Sequence, residues 1–101
     1  MASLSVIYWR DIPAQVVVRQ GRQTAKVQLS ARFQEAVDRA AMRAGRGTSD
    51  AYLADWKRSD PRPCGEDLQG EAVAEAARIE AAYTDDALEA LIRSKGLAAG
   101  A

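Results

Sequence analysis

Apolar and polar positions alternate with period two at the start of the chain and with a longer, helical period after it. Leu4, Val6 and Tyr8 alternate with Ser5, Ile7 and Trp9, and this β-branched and aromatic content marks a strand. Strict alternation puts Leu4, Val6 and Tyr8 on one face and Ile7 and Trp9 on the other. Arg10-Asp11-Ile12-Pro13 interrupts the run, because Pro13 has no N–H for a ladder and belongs at a turn or strand start. Val16, Val17 and Val18 form a second strand. Gln20-Gly21-Arg22 reads as the next turn. Ala25, Val27 and Leu29 then alternate with Lys26 and Gln28 as a half-buried third strand. A three-stranded meander is the simplest topology.

Beyond Leu29 the period lengthens. Ser30 is placed as an N-cap, and Phe33, Val37, Ala40, Ala41 and Ala44 recur at helical spacing up to Gly45 and Gly47. Thr48 or Ser49 caps a second, short helix carrying Tyr52, Leu53 and Trp56. Residues 59–65 contain Pro61 and Pro63 and read as a loop. Leu68, Ala72, Ala76, Ile79 and Tyr83 make a third helical stripe. Thr84 with Asp85 and Asp86 opens a fourth helix, with Leu88, Leu91 and Ile92 as its apolar side and Gly96 at its end. The expected architecture is α+β: a three-stranded antiparallel sheet followed by about four helices packed on one face. It forms a single domain over residues 1–97, with 98–101 as a frayed tail.

Charge changes this picture. The chain is neutral overall, yet residues 1–62 carry 11 Lys/Arg against 6 Asp/Glu, and residues 63–101 carry 3 against 8. Two readings follow: an acidic tail lying against a basic first half, or a basic face kept for an acidic partner. There is no histidine, which removes the commonest general base and the commonest metal ligand. Cys64 is the single cysteine, so an intrachain disulfide is excluded. Arg62 beside it could lower its pKa, but a loop thiol without a base is a weak catalytic candidate. Asp85, Asp86 and Glu89 read as a helix-start charge set. No phosphate-loop spacing surrounds the glycines. Residues 1–5 lack the basic and apolar regions of a leader, and no apolar run reaches the ~20 residues of a membrane span. A cytoplasmic protein without a cofactor is expected, with no membrane contact.

Two surfaces remain as candidates. The hairpin residues Ile7, Trp9, Arg10, Asp11 and Ile12 could anchor a partner, since Trp and Arg are enriched at interface hot spots and a sheet covered on one side leaves its second face open. That face could also pair copies of the chain. Arg32, Arg39, Arg43 and Arg46 form a basic side of the first helix, which gives the alternative of a nucleic-acid-binding regulator.

The segment from Val6 to Val18, with Lys26-Val27-Gln28-Leu29, Phe33-Gln34-Glu35-Ala36-Val37-Asp38-Arg39-Ala40-Ala41-Met42 and Asp50-Ala51-Tyr52-Leu53-Ala54-Asp55-Trp56, resembles the small bacterial "virulence factor" domain family. The resemblance covers about the first two-thirds of the chain; the acidic helical part from Glu66 onward is the least family-like. It implies a domain found both alone and within a longer conserved virulence factor, with no catalytic residues to carry over. It also implies an accessory subunit beside folate- or corrinoid-dependent one-carbon enzymes, methylenetetrahydrofolate reductase-like proteins among them. The expectation from the whole sequence is a non-enzymatic accessory or regulatory domain that binds a larger protein.

Overall fold

A computed structural model describes residues 2–45 and 49–97. Arg46, Gly47, Thr48 and the expected tail at 98–101 lie outside the described residues. The elements in chain order are β1 (Ala2–Trp9), β2 (Ile12–Gln20), β3 (Gln23–Gln28), α1 (Ala31–Arg43), α2 (Ser49–Ala54), β4 (Trp56–Arg58), β5 (Arg62–Cys64), α3 (Leu68–Ala82) and α4 (Asp85–Arg93).

The meander forms as its alternation predicts. Leu4 pairs with Val18 and Val6 with Val16, while Val16 and Val18 pair with Val27 and Ala25. Directly opposed residues share a face, so these rows make one continuous apolar surface. Helix α3 crosses β2 and β3 on that surface, and α1 lies between β2 and α4. Phe33, Val37 and Ala40 of α1, Ala72 and Ile79 of α3, and Leu88 and Ile92 of α4 close the core with Leu4, Val6, Val16 and Val18. Alanines at the contacts let helix backbones approach closely, and the Phe33 ring supplies bulk, meeting Tyr83 edge-on at 5.8 Å.

The sheet has five strands, not three. Both additional strands pair with the outer edge of β1: β4 along Ile7–Trp9 and β5 along Ala2–Leu4. Trp56, expected on a helix, opens β4 opposite Trp9. Pro63, expected to forbid regular structure, is accommodated because β5 is an edge strand, where one missing N–H faces away from the ladder. Ser59 bridges the two short strands. Its N–H donates to Val6 O at 2.9 Å, and its Oγ accepts from Val6 N–H at 2.8 Å, which continues the ladder through a side chain.

The helix starts differ in how they are satisfied. Thr84 accepts from Ala87 N–H at 3.1 Å, and Asp67 accepts from Gly70 N–H at 3.1 Å. Ser30 occupies the N-cap position of α1, but its side chain makes no capping bond. Instead the Glu80 carboxylate, from α3, accepts from Ser30 N–H at 2.7 Å and from Ser30 Oγ–H at 3.0 Å. One carboxylate thereby meets the positive end of α1 and ties it to α3.

Candidate functional site

The β1–β2 hairpin closes on the Trp9–Ile12 pair, leaving Arg10 and Asp11 as its turn. Arg10 has φ of 53°, a left-handed conformation that costs a non-glycine residue about 1 kcal/mol or more. A dense set of contacts holds it there. Its N–H donates to Asp55 O at 3.0 Å, its Nε lies 3.2 Å from Asp55 Oδ2, and its Nη1 donates to Lys95 O at 2.8 Å. Asp11 N–H donates to Gly96 O at 2.8 Å. The turn therefore joins the α2–β4 junction to the end of α4.

This arrangement corrects the expected partner surface. Trp9 and Ile12 are both 0% exposed, so neither can meet a partner. The β1–β2 register shifts between Ile7 and Tyr8, leaving Ala14 of β2 unpaired, and at this end of the hairpin Trp9 is closed over by its own chain. Its ring stacks on Tyr52 at 6.1 Å and 25°, and its Nε1–H donates to Tyr52 O at 3.0 Å. Gly96, with φ of 87°, seats against it: a Cβ there would lie 2.8 Å from the indole. Arg10 sits 5.2 Å over the same ring and is mostly buried, so it too serves the fold.

Ile7 does lie on the open side of the sheet. By register, Ile7 shares this face with Ser5 and Val17 in the middle and with Arg19, Lys26 and Arg58 around them. Val17 and Ser5 are 4% and 7% exposed, whereas the three cations are exposed. The strand residues paired on this face include no carboxylate.

The basic side of α1 is used differently from the phosphate-binding expectation. Arg32 reaches Glu80 and Asp85, both at 3.2 Å, and covers the Phe33 ring at 4.7 Å. Arg39 forms a two-pronged pair with Glu89 at 3.0 and 3.1 Å. Arg62 meets Glu75 at 2.7 Å. The basic first half and the acidic second half thus complement each other within the molecule; Asp85 and Asp86 lie in the first turn of α4 as expected, and Asp85 and Glu89 also take part in these pairs. Arg43 is exposed at the end of α1, and Arg46 is outside the described residues.

A cleft of about 760 Å³ opens between α4 and the β4 edge. Tyr8, Tyr83, Ala87, Ala90 and Leu91 wall it, and Asp11, Lys57, Arg58 and Ser59 supply its polar groups. The Lys57 ammonium lies 3.2 Å from Asp11 Oδ1. Burial pushes the Tyr83 phenol above its ordinary value, with Tyr8 and Asp11 adding to the shift. The sequence expectations contain no such cleft. Tyr8 and Tyr83 belong to separate apolar stripes of the sequence, and they meet across the cleft where α4 leaves the sheet edge uncovered.

Cys64 is half-buried against the core. Burial first, and Glu71 second, raise its pKa, outweighing the lowering by Arg62, so its thiolate is disfavoured. Among the described residues no group of His, Cys, Asp or Glu could hold a metal ion, and no helix is long and apolar enough to cross a membrane.

A family model described as "Virulence factor" matches residues 7–92, which includes the acidic helices α3 and α4 as well as the part that carries the resemblance. The chain belongs to that family. Searches of curated proteins and of solved structures returned no match.

Proposed function

We propose that this virulence factor family member is a non-enzymatic accessory domain that docks onto a larger protein through the open face of its sheet. The partner contributes an acidic surface. One observation carries this reading: exposed Arg19, Lys26 and Arg58 surround the partly exposed Ile7, with Val17 buried between them and no carboxylate among the paired residues of that face, while Arg32, Arg39 and Arg62 are neutralised by acids of the helical side. An apolar centre with a charged rim is the usual anatomy of a protein interface. The partner class implied by the family resemblance is a folate- or corrinoid-dependent one-carbon enzyme, such as a methylenetetrahydrofolate reductase-like protein.

Nucleic acid is the less favoured partner. Single-stranded binders need aromatic platforms on the sheet for base stacking, and Trp9, the aromatic nearest this face in the strand pattern, is withdrawn into the core.

A photo-crosslinking residue at Thr24, on the open face, tests the reading in cells, with Glu35 of α1 as the control position. One protein of acidic surface should crosslink from Thr24 and not from Glu35, and Lys26→Glu should reduce that product about tenfold, the effect of roughly 1.4 kcal/mol. Crosslinks to nucleic acid, or equal products from both positions, would refute it.

A further inference from the structure

We infer that the cleft between α4 and the β4 edge is a binding site for a small aromatic monoanion, a planar ring system bearing one carboxylate- or sulfonate-type group. This goes beyond the open-face docking and rests on different residues, although Arg58 borders both.

Volume comes first. At about 760 Å³ the cleft lies within the roughly 300–1,000 Å³ typical of small-molecule sites. Its walls combine two phenol rings, Tyr8 and Tyr83, with the small side chains Ala87 and Ala90. Rings beside small residues leave slots suited to flat, apolar groups, and aromatic pairs prefer offset or edge-on packing. The cleft is not filled by the protein because α4 presents alanines where a larger side chain would have closed it.

Charge then selects the ligand class. Lys57 and Arg58 bring two positive charges and Asp11 one negative charge, set 3.2 Å from the Lys57 ammonium. The remainder is one positive charge, which one anionic group balances. Two neutral hydroxyls can add hydrogen bonds. Ser59 Oγ already accepts from Val6 N–H, so its proton is what it offers a ligand. The Tyr83 phenol, protonated at neutral pH like any tyrosine, can donate likewise. An anion held by donors of both kinds gains the shorter, stronger charge-assisted bonds.

The test uses two dyes of nearly the same shape. Anilinonaphthalene sulfonate carries one negative charge, and N-phenyl-1-naphthylamine carries none. Fluorescence titration of the folded protein at neutral pH should show one saturable sulfonate site per chain and binding of the neutral dye about tenfold weaker or worse, a gap of roughly 1.4 kcal/mol. Lys57→Gln should weaken the sulfonate by a similar factor, while Asp11→Asn should strengthen it several-fold. A purely structural role for that ion pair would make both variants lose binding together. Ala90→Phe, at an exposed helix position, should abolish binding of both dyes while cooperative unfolding is retained. Lys26→Glu should change neither titration, which separates this site from the docking face. Equal affinity for the two dyes, or full binding to Ala90→Phe, would overturn the inference.

Discussion

The two faces of the sheet are built from the same three strands, one residue out of step. Leu4, Val6, Val16 and Val18 look toward the helices and form part of one closed cluster. Ser5, Ile7 and Val17, their immediate neighbours in the chain, and Lys26, paired with Val17, look the other way. The covered face is uniformly apolar because everything on it must leave water, and the gain scales with apolar area buried. The open face is apolar only at its centre and basic at its edge. Trp9 breaks the symmetry between them. By alternation it belongs with Ile7, yet it is among the largest fully buried side chains. Alternation therefore assigns a side chain to a face but does not say whether that face is covered at that point: at the hairpin end Tyr52 and Gly96 close over the indole.

The sharpest way to break this contrast is to truncate one residue on each side of the register shift between Ile7 and Tyr8. Trp9→Ala removes a fully buried ring, its stack on Tyr52 and its bond to Tyr52 O, and should cost about 3–5 kcal/mol. A domain of this size has roughly 5–10 kcal/mol to lose, so urea unfolding should show a midpoint near the start of the titration. Ile7→Ala should cost no more than about 1 kcal/mol, since its surroundings are partly solvent. Equal losses at the two positions would mean that Trp9 is not the core residue its burial indicates.

Residues 4–29 and the four helices were legible because local periodicity reports which side of an element is buried. Strands β4 and β5 were not. Each has three residues, too few to show a period, and each exists only because β1 offers an edge. The ion pairs were legible as a sum, in the opposite charges of the two halves, but not as pairs. The choice of Arg32 and Arg39 for Glu80, Asp85 and Glu89 follows from α1 lying beside α4. Arg10 and Asp11 were legible as a turn, but not their bonds to Asp55, Lys95 and Gly96 of their own chain. The cleft was illegible because it consists of what α4 fails to cover.

A middle-sized effect belongs to the covered side. Glu80 links the start of α1 to α3, and Glu80→Gln should cost about 1 kcal/mol, the lower end for hydrogen bonds to a charged group, because the site is partly exposed. Its pH dependence has a definite sign. Burial alone would raise the carboxyl, but Ser30 N–H, Ser30 Oγ–H and Arg32 outweigh it and hold the pKa below its ordinary value. A carboxyl more acidic in the folded than in the unfolded chain stabilises in its ionised form. That contribution is complete above the unfolded value of about 4.3 and disappears as pH falls through the lower folded value. The stability gap between wild type and Glu80→Gln should be flat between about pH 7 and 5 and should close below about pH 4. A gap unchanged into acid would mean that the carboxylate's charge does no stabilising there.

The smallest expected effect on stability is on the open face, and its smallness carries the argument. Lys26 is exposed and forms no part of the core, so Lys26→Glu should leave the unfolding free energy within about 0.5 kcal/mol of wild type, as surface changes away from packed features do. If that face exists to meet an acidic partner, the same substitution places a like charge at its rim and should slow association most at low salt, where screening is weakest. Rapid-mixing association rates at two salt concentrations separate the effects. A large change in stability with no change in rate would make the cations structural, and the contrast between the two faces would then be one of burial alone. An intact fold with a salt-dependent loss of association would show that the sheet keeps one side for itself and one for another molecule.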